Sequence, residues 1–221
     1  MRYTVRRAEA PPPLAPNWDD PAWRTAETLE LRHFRPESSD HHPRTFARLL
    51  HSGSGLHGIF QVHDRHVRCV RTAYFDQVWK DSCVEFFVQP RPDRGYFNLE
   101  CNCGGAHLCS YITNPERTPD GFKEFTKLPA SIGGRIQVRS SLPPRIEPEI
   151  TEPVVWTLAF YAPFELFEAY VGALEPVSGQ AWRANFHKCA DESSHPHWGT
   201  WAPLEALNFH DPKCFGSLAF E

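Results

Sequence analysis

The stretch Val78–Pro90, VWKDSCVEFFVQP, shows the alternation of a β-strand that has one apolar and one polar face. The apolar face carries Val84, Phe86 and Val88, which predicts that this face lies against a core. The other face carries Glu85 in the middle of the strand. A carboxylate there needs a partner or a ligand, because burying it unpaired is costly. On this stretch alone, a solvated strand face and a functional face explain the pattern equally well.

The rest of the chain extends this pattern to an all-β fold. Twenty-one Pro and 13 Gly in 221 residues predict many turns, and no helical periodicity exceeds two turns. A short helix is expected at Pro163–Phe167, where Pro occupies the first turn. Residues 113–132 are expected to form a polar connection. Alternating or apolar runs predict strands at 27–34, 45–51, 56–63, 67–70, 82–88, 96–103, 107–112, 134–141, 154–161, 181–188 and 215–220.

These features predict an antiparallel β-sandwich in a single domain, residues 1–221, with a short helix in a connection. The side chains expected to point inward are Val84, Phe86, Val88, Leu99, Trp182 and Phe186. The net charge of −4 gives no indication of a nucleic-acid surface.

Seven cysteines, with no Cys-x-x-Cys pair, argue against a zinc ribbon or a thioredoxin-type site. We expect most of these thiols to be free, which is typical of a reducing compartment. The first residues lack the apolar run of a signal peptide, and no stretch is long enough to span a membrane. The expected location is therefore cytoplasmic, or secreted or periplasmic if a leader has been removed.

Three predicted strands carry polar residues on one face, namely Glu85, then Asn98, Glu100 and Asn102, then Arg183, Asn185 and His187. If these strands adjoin in one sheet, the residues form a polar floor. Loops that bear Trp79, and Trp198 with Trp201, could place aromatic rings above it. Sugar rings have apolar faces and polar edges, and such a site suits them. Internal salt bridges, with Arg183 neutralising Glu85 or Glu100, are the alternative.

The sequence resembles the family 9 carbohydrate-binding modules. The resemblance is carried by Trp79–Phe87, by the segment with Trp18 and Trp23, by Arg183–Phe186, and by the ending from Trp201 through Phe209-His210-x-Pro212 to Phe215-Gly216. It implies a β-sandwich that holds a sugar between two tryptophans without catalysis.

By motif position Trp79 is the first tryptophan and Glu85 the carboxylate below it. Trp201 is the expected second tryptophan, with Trp198 as the alternative. The complete predicted carbohydrate-binding set is Trp79, Asp81, Glu85, Asn98, Asn102, Arg183, Asn185, Trp198 and Trp201. Calcium sites occur in the family, but no Asp-x-Asp-type loop matches one, so no metal and no cofactor are predicted.

Other functions remain open on the sequence. Related sandwiches bind haem, and because Met1 is the only methionine, an axial His/His pair is the remaining option for a haem or electron-transfer module. A glycoside-processing enzyme would need two carboxylates across a bond, and Glu85 and Glu100 are the candidates. A plain interaction domain has no discriminating motif. The expected partner is a mono- or oligosaccharide, with no nucleic acid and no membrane.

Overall fold

A computed structural model describes all residues, 1–221. The strands are β1 (Arg2–Arg7), β2 (Leu29–Leu31), β3 (His33–Phe34), β4 (Arg44–His51), β5 (Gly55–Asp64), β6 (Val67–Cys69), β7 (Cys83–Gln89), β8 (Tyr96–Asn102), β9 (His107–Thr118), β10 (Gly121–Lys127), β11 (Gln137–Ser140), β12 (Ile146–Ile150), β13 (Val154–Pro163), β14 (Ala181–Cys189), β15 (Trp198–Thr200) and β16 (Gly216–Phe220). The helices are α1 (Ala130–Gly133) and α2 (Phe164–Val171), and 3₁₀ turns cover Pro21–Trp23, Val78–Lys80 and Pro212–Cys214. No helix is both long enough and apolar enough to cross a membrane.

The strands form two layers, as the sequence predicts. The first sheet has the order β10-β9-β8-β7-β14-β16, and β15 continues from β14 to β3. The second sheet has the order β4-β5-β13-β11, with β2 also paired to β4. Strand β1 links the layers: Arg2–Val5 pair with β16 and Arg6–Arg7 with β4, both in parallel. Every other strand pair of the two sheets is antiparallel.

A core of 41 buried residues lies between the two sheets. The six side chains predicted to point inward all belong to it, which confirms the alternation read from the sequence. The first sheet contributes Phe86 and Phe186, whose rings stand 5.0 Å apart, and Phe160 of the second sheet stacks on Phe86 at 5.6 Å. The two sheets thus interdigitate through aromatic rings.

The N-terminal segment covers the outer face of the second sheet. Trp23 is buried there with Leu50 and Ile59, and Trp18 packs at the edge of the same cluster. The Arg48 guanidinium lies 4.0 Å from the centre of the Trp18 ring. These two tryptophans are therefore packing residues on the outer face of the second sheet.

The predicted short helix is confirmed as α2. Pro163 precedes its first turn, and four of its eight residues, Phe164, Leu166, Phe167 and Val171, are buried. The helix stops at Gly172, whose φ of +81° is a conformation that favours glycine.

The segment 113–132 is not a plain polar connection, and this expectation is corrected. Strand β9 runs on to Thr118 and turns at Pro119-Asp120 into β10, which pairs back on it, and α1 follows. Most side chains at the end of this hairpin are exposed, so the hairpin has no apolar alternation to show in the sequence. The sequence also predicted no strand at β1, β12 or β15, and the predicted strand 27–34 is divided into β2 and β3. Of these, β1 is not an edge strand, because it pairs with both β16 and β4.

Candidate functional site

The face of the first sheet that points away from the core carries a polar floor, as predicted. Glu85 of β7 lies directly opposite Glu100 of β8, and Asn98 of β8 lies directly opposite Ser110 of β9. Residues directly opposite each other in an antiparallel pair project to the same side of the sheet. All four are buried, with 3–5% of each residue exposed. The floor therefore lies deep in a concave surface.

The hydrogen bonds of this floor leave one polar atom without a partner. The Asn98 amide donates to Glu100 Oε1 at 2.7 Å, and the Ser110 backbone N–H donates to Asn98 Oδ1 at 2.8 Å. The Cys189 thiol lies 3.3 Å from Glu85 Oε1, to which it donates. The second carboxyl oxygen, Glu85 Oε2, is buried and has no partner. Because buried polar atoms are nearly always paired, this oxygen is a candidate contact for a ligand.

Both acids of the floor hold protons more tightly than free glutamic acid. Burial, followed by the neighbouring Cys189 and Glu100, raises the pKa of Glu85 well above its ordinary value. Burial raises the pKa of Glu100 to about 7, although Asn98 and Arg117 oppose the shift. Desolvation penalises the charged form, and two adjacent carboxylates cannot both ionise cheaply. Near neutral pH the floor can therefore both donate and accept hydrogen bonds.

Aromatic side chains form the walls of a pocket of about 960 Å³ above this floor. Trp79 is the middle residue of the 3₁₀ turn before β7, and Trp198 opens β15, where it lies opposite Cys189 of β14. Both rings are partly exposed and pack at the edge of a small hydrophobic cluster. The remaining lining residues include Phe75, Gln77, Arg117, Phe122, Phe125, Lys127, Asp191, Asn208, Phe209 and His210.

One contact set fixes the two tryptophans relative to each other. The Trp198 indole N–H donates to Asp191 Oδ1 at 2.8 Å, and the Asp191 backbone N–H donates to the Trp79 carbonyl at 3.2 Å. Asp191 thereby links the Trp198 ring to the backbone at Trp79. The hydrogen bond to Asp191 orients the Trp198 ring, and a side chain that is already oriented loses less freedom when a ligand binds.

The structure corrects the choice of the second tryptophan. Trp201 is only 4% exposed and belongs to the core between the sheets, where its ring packs edge-on against Phe186 at 5.8 Å. Its indole also fills the space in which Gly216 has no side chain. Trp198 and Trp201 are three positions apart on an extended chain, so they point to opposite faces. Trp198, the alternative, is the residue that lines the pocket.

Asp81 and Asn102 are also corrected, because they fasten a loop instead of lining the pocket. Asp81 is fully buried and accepts hydrogen bonds from the backbone N–H groups of Val70 and Arg71, at 3.1 and 2.8 Å. Asn102 donates to the same carboxylate at 3.0 Å and to the Arg71 carbonyl at 2.7 Å. These contacts hold the chain that leads into the Trp79 turn, so the pair positions the site from behind.

Arg183 and Asn185 of β14 do not line the pocket either. The Arg183 guanidinium donates to the carbonyls of Lys213 and Phe215, both at 3.1 Å. Asn185 is fully buried and exchanges hydrogen bonds with the backbone of Ala202, at 2.9 and 3.1 Å. They fix the segment after β15 and the start of β16. Neither neutralises Glu85 or Glu100, so the internal salt bridge that the sequence left open is not formed.

The structure thus brings together four of the nine predicted residues: Trp79, Glu85, Asn98 and Trp198. Among the residues that the predicted set omitted are Glu100, Ser110, Arg117, Phe122, Asp191 and His210. Glu100 could have been included, since it shares the predicted polar face with Asn98. Arg117 and Phe122 come from the unpredicted β9–β10 hairpin. The Arg117 guanidinium lies 4.3 Å from the centre of the Phe122 ring.

A two-layer β-sandwich with planar aromatic walls over a buried polar floor defines a small-ligand-binding module. The sequence pattern of carbohydrate-binding family 9 matches residues 25–220. That is most of the chain, and the chain therefore belongs to this family. A comparison with curated proteins found no match.

Solved structures share the whole fold. A protein from Bacteroides uniformis ATCC 8492, described as a "putative carbohydrate-binding protein", is 28% identical with a TM-score of 0.86, and the match covers 100% of this chain and 99% of that one. A family 9 module from Caldicellulosiruptor kristjanssonii in complex with glucose is 15% identical with a TM-score of 0.65, covering 100% and 96%. The same source's module in complex with cellotriose is 14% identical, also at 0.65, covering 100% and 94%. At these lower identities the likeness concerns the fold.

Proposed function

We propose that this protein binds carbohydrate without catalysis, and that the ligand is a sugar ring or an oligosaccharide end held in the pocket above Glu85 and Asn98. The observation that carries the proposal is the placement of Trp79 and Trp198 on loops beside a buried polar floor. Two structural relatives in the family carry glucose and cellotriose, which supports the ligand class.

The chemistry of the pocket matches the two surfaces of a sugar. Indole rings present flat apolar surfaces that can stack on the C–H face of a pyranose. The hydroxyl groups at the ring edge need partners, and Glu85 Oε2 is a buried carboxyl oxygen without one. A sugar hydroxyl that forms a hydrogen bond with it removes an unsatisfied group, which is worth about 1–3 kcal/mol. The same hydroxyl would make only an ordinary hydrogen bond in water.

The size of the pocket favours more than a single ring. A volume of about 960 Å³ lies at the upper end of the range of about 300–1,000 Å³ that is usual for small-ligand pockets. A smaller pocket of about 300 Å³ beside His41 and His63 has no tryptophan, tyrosine or phenylalanine in its lining. Stacking therefore favours the larger pocket as the carbohydrate site.

The other candidate functions lack support in this pocket. Axial His/His ligation of haem needs two histidines, and the lining holds only His210, whose Nδ1 is engaged with the Tyr96 hydroxyl at 2.9 Å. A glycosidase needs carboxyl groups on two sides of the scissile bond. Glu85 and Glu100 instead lie side by side on neighbouring strands. These arguments favour a binding module over an enzyme.

The proposal is tested by titration calorimetry with glucose and cellotriose, after a glycan array has ranked other sugars. Trp79→Ala should weaken binding about tenfold or more, because one stacked ring contributes on the order of 1.4 kcal/mol, which is a factor of ten. Trp18→Ala is the matched control, since Trp18 is also a partly exposed tryptophan but lies on the second sheet. Equal affinity in Trp79→Ala and the parent would refute the site.

A further inference from the structure

Two thiols and one carboxyl group meet at the base of the pocket. Cys189 of β14 lies directly opposite Cys83 of β7, and Glu85 follows Cys83 on the same face of that strand. The two sulfur atoms and a Glu85 oxygen all lie within 4.8 Å of one another. All three residues are buried, with at most 3% of each exposed. Glu85 and Cys189 line the pocket, and Cys83 lies behind them.

One oxygen of this cluster has no partner, and a histidine next to the cluster has none either. Glu85 Oε2 has no hydrogen-bond partner although it is buried. His187 lies directly opposite Glu85 in the sheet, is completely buried, and has no partner at either ring nitrogen. Its ring is held by stacking on Phe209 at 4.1 Å. Buried polar atoms without partners call for a specific explanation, such as an ion.

We propose that Cys83, Glu85 and Cys189 bind one thiophilic divalent cation of the zinc type, with its fourth coordination position open to the pocket. This site goes beyond carbohydrate binding, and neither function requires the other. Its three ligands lie on two adjacent strands, which hold them more rigidly than loops would.

The ligand set selects the class of metal. Thiolate sulfur prefers Zn²⁺ and similar soft or borderline ions, whereas Ca²⁺ and Mg²⁺ take oxygen ligands. Around a tetrahedral Zn²⁺ with Zn–S distances of about 2.3 Å, two sulfur atoms lie about 3.8 Å apart. The observed cluster can reach this geometry with small side-chain movements. Three protein ligands and one open position are the arrangement of zinc sites that bind a further small molecule.

Charge in the cluster changes when a metal binds. Burial raises the pKa of Glu85 and Cys83, and the adjacent Cys83 together with burial raises the pKa of Cys189, so all three groups carry protons in the metal-free protein. A bound dication favours their anionic forms and releases those protons.

The test uses the full chain, reduced with a phosphine and treated with a chelator, and then titrated with Co²⁺ or Cd²⁺. A thiolate-to-metal charge-transfer band should grow and saturate at one equivalent, and Ca²⁺ should not suppress it. Cys83→Ser and Cys189→Ser should each raise the metal Kd at least about tenfold, since even outer partners of a metal site contribute about 10–100-fold. Glu85→Gln, which preserves the shape of the side chain, should do the same.

Cys103→Ser is the matched control. Cys103 is a buried thiol beside a second thiol, Cys69, and the two form no part of the cluster. Circular dichroism and thermal melts of the metal-free variants establish that each is folded. Metal binding that survives in Cys103→Ser but falls in Glu85→Gln supports the proposal. The absence of a charge-transfer band in the parent, or a band lost in Cys103→Ser and kept in both Cys83→Ser and Cys189→Ser, overturns it.

Discussion

Replacing Trp198 and Trp201 separately by alanine should produce opposite defects. The two residues are close in sequence, yet Trp198 lines the pocket and Trp201 lies in the core between the sheets. Trp198→Ala should lower sugar affinity about tenfold or more, because it removes one stacked ring. Trp201→Ala should leave the affinity of the folded protein close to that of the parent and should lower its stability.

The stability cost of Trp201→Ala follows from its surroundings. The side chain is almost completely buried, contacts Phe186 edge-on, and fills the space beside Gly216. Removing a core tryptophan typically costs about 3–5 kcal/mol, because the cavity collapses only in part. In a domain of this size each kcal/mol lowers Tm by about 2–4 °C, so the expected fall is about 6–20 °C. Trp198→Ala loses one hydrogen bond to Asp191, about 1 kcal/mol, and some partial packing.

The assays are urea denaturation at 25 °C and calorimetric titration of each variant with the best ligand from the glycan array. The titration is carried out well below the lower Tm, so that both variants are folded. If Trp201→Ala were as stable as the parent and lost binding, while Trp198→Ala bound normally, the assignment of the two faces would be wrong.

Three further outcomes are expected. Glu100→Gln should match the parent in stability below about pH 4.5 and exceed it above pH 7. Burial raises the pKa of Glu100 from 4.5 to about 7, so the parent should lose on the order of 3 kcal/mol of stability as the pH rises through this window. Urea denaturation of both proteins across this pH range measures the difference. Lys188→Met should lower the free energy of unfolding by about 3–5 kcal/mol, because it leaves the buried Asp64 carboxylate, 3.4 Å from the Lys188 ammonium, without its cation. Adding Asp64→Asn should recover at least half of this loss. A double-mutant cycle that shows no coupling would count against the ion pair. Thiol titration in denaturant without reductant should find all seven cysteines reactive, and fewer than seven would reveal disulfides. In the native protein at most one thiol should react, that of Cys214, which is the one cysteine that is not fully buried.

The sequence predicts the sheet and its core because both follow from the two-residue repeat of a strand. Strand β14 is an example: Trp182, Ala184 and Phe186 point to the core, while His187 and Cys189 point to the outer face. The same repeat correctly placed Glu85 and Asn98 on one polar face. For a half-buried strand, the face of each residue is therefore fixed once the apolar face is known.

Side-chain partners are not fixed by that repeat. Asn185 lies on the polar face as predicted, but its amide bonds to the backbone of Ala202, which follows β15 and is 17 residues further along the chain. Asp81 likewise has one oxygen, Oδ2, occupied by the backbone N–H groups of Val70 and Arg71. Such partners depend on loop paths that carry no periodic signal. This explains why a residue such as Asn185 lies on the predicted face of its strand and still does not line the pocket.

The energetic arrangement of the pocket follows from the same division between strands and loops. The floor stands on paired strands, and it keeps two adjacent acids, Glu85 and Glu100, out of water at a cost in stability. Substitution of either acid by an amide would relieve that cost, so the acids do not serve the fold. A bound ligand that forms a hydrogen bond with Glu85 Oε2 recovers part of the cost, and it should therefore bind more tightly than an equal contact area on the outer surface would allow. The walls, which come from loops and from the β9–β10 hairpin, decide which ligand has the shape to reach that oxygen.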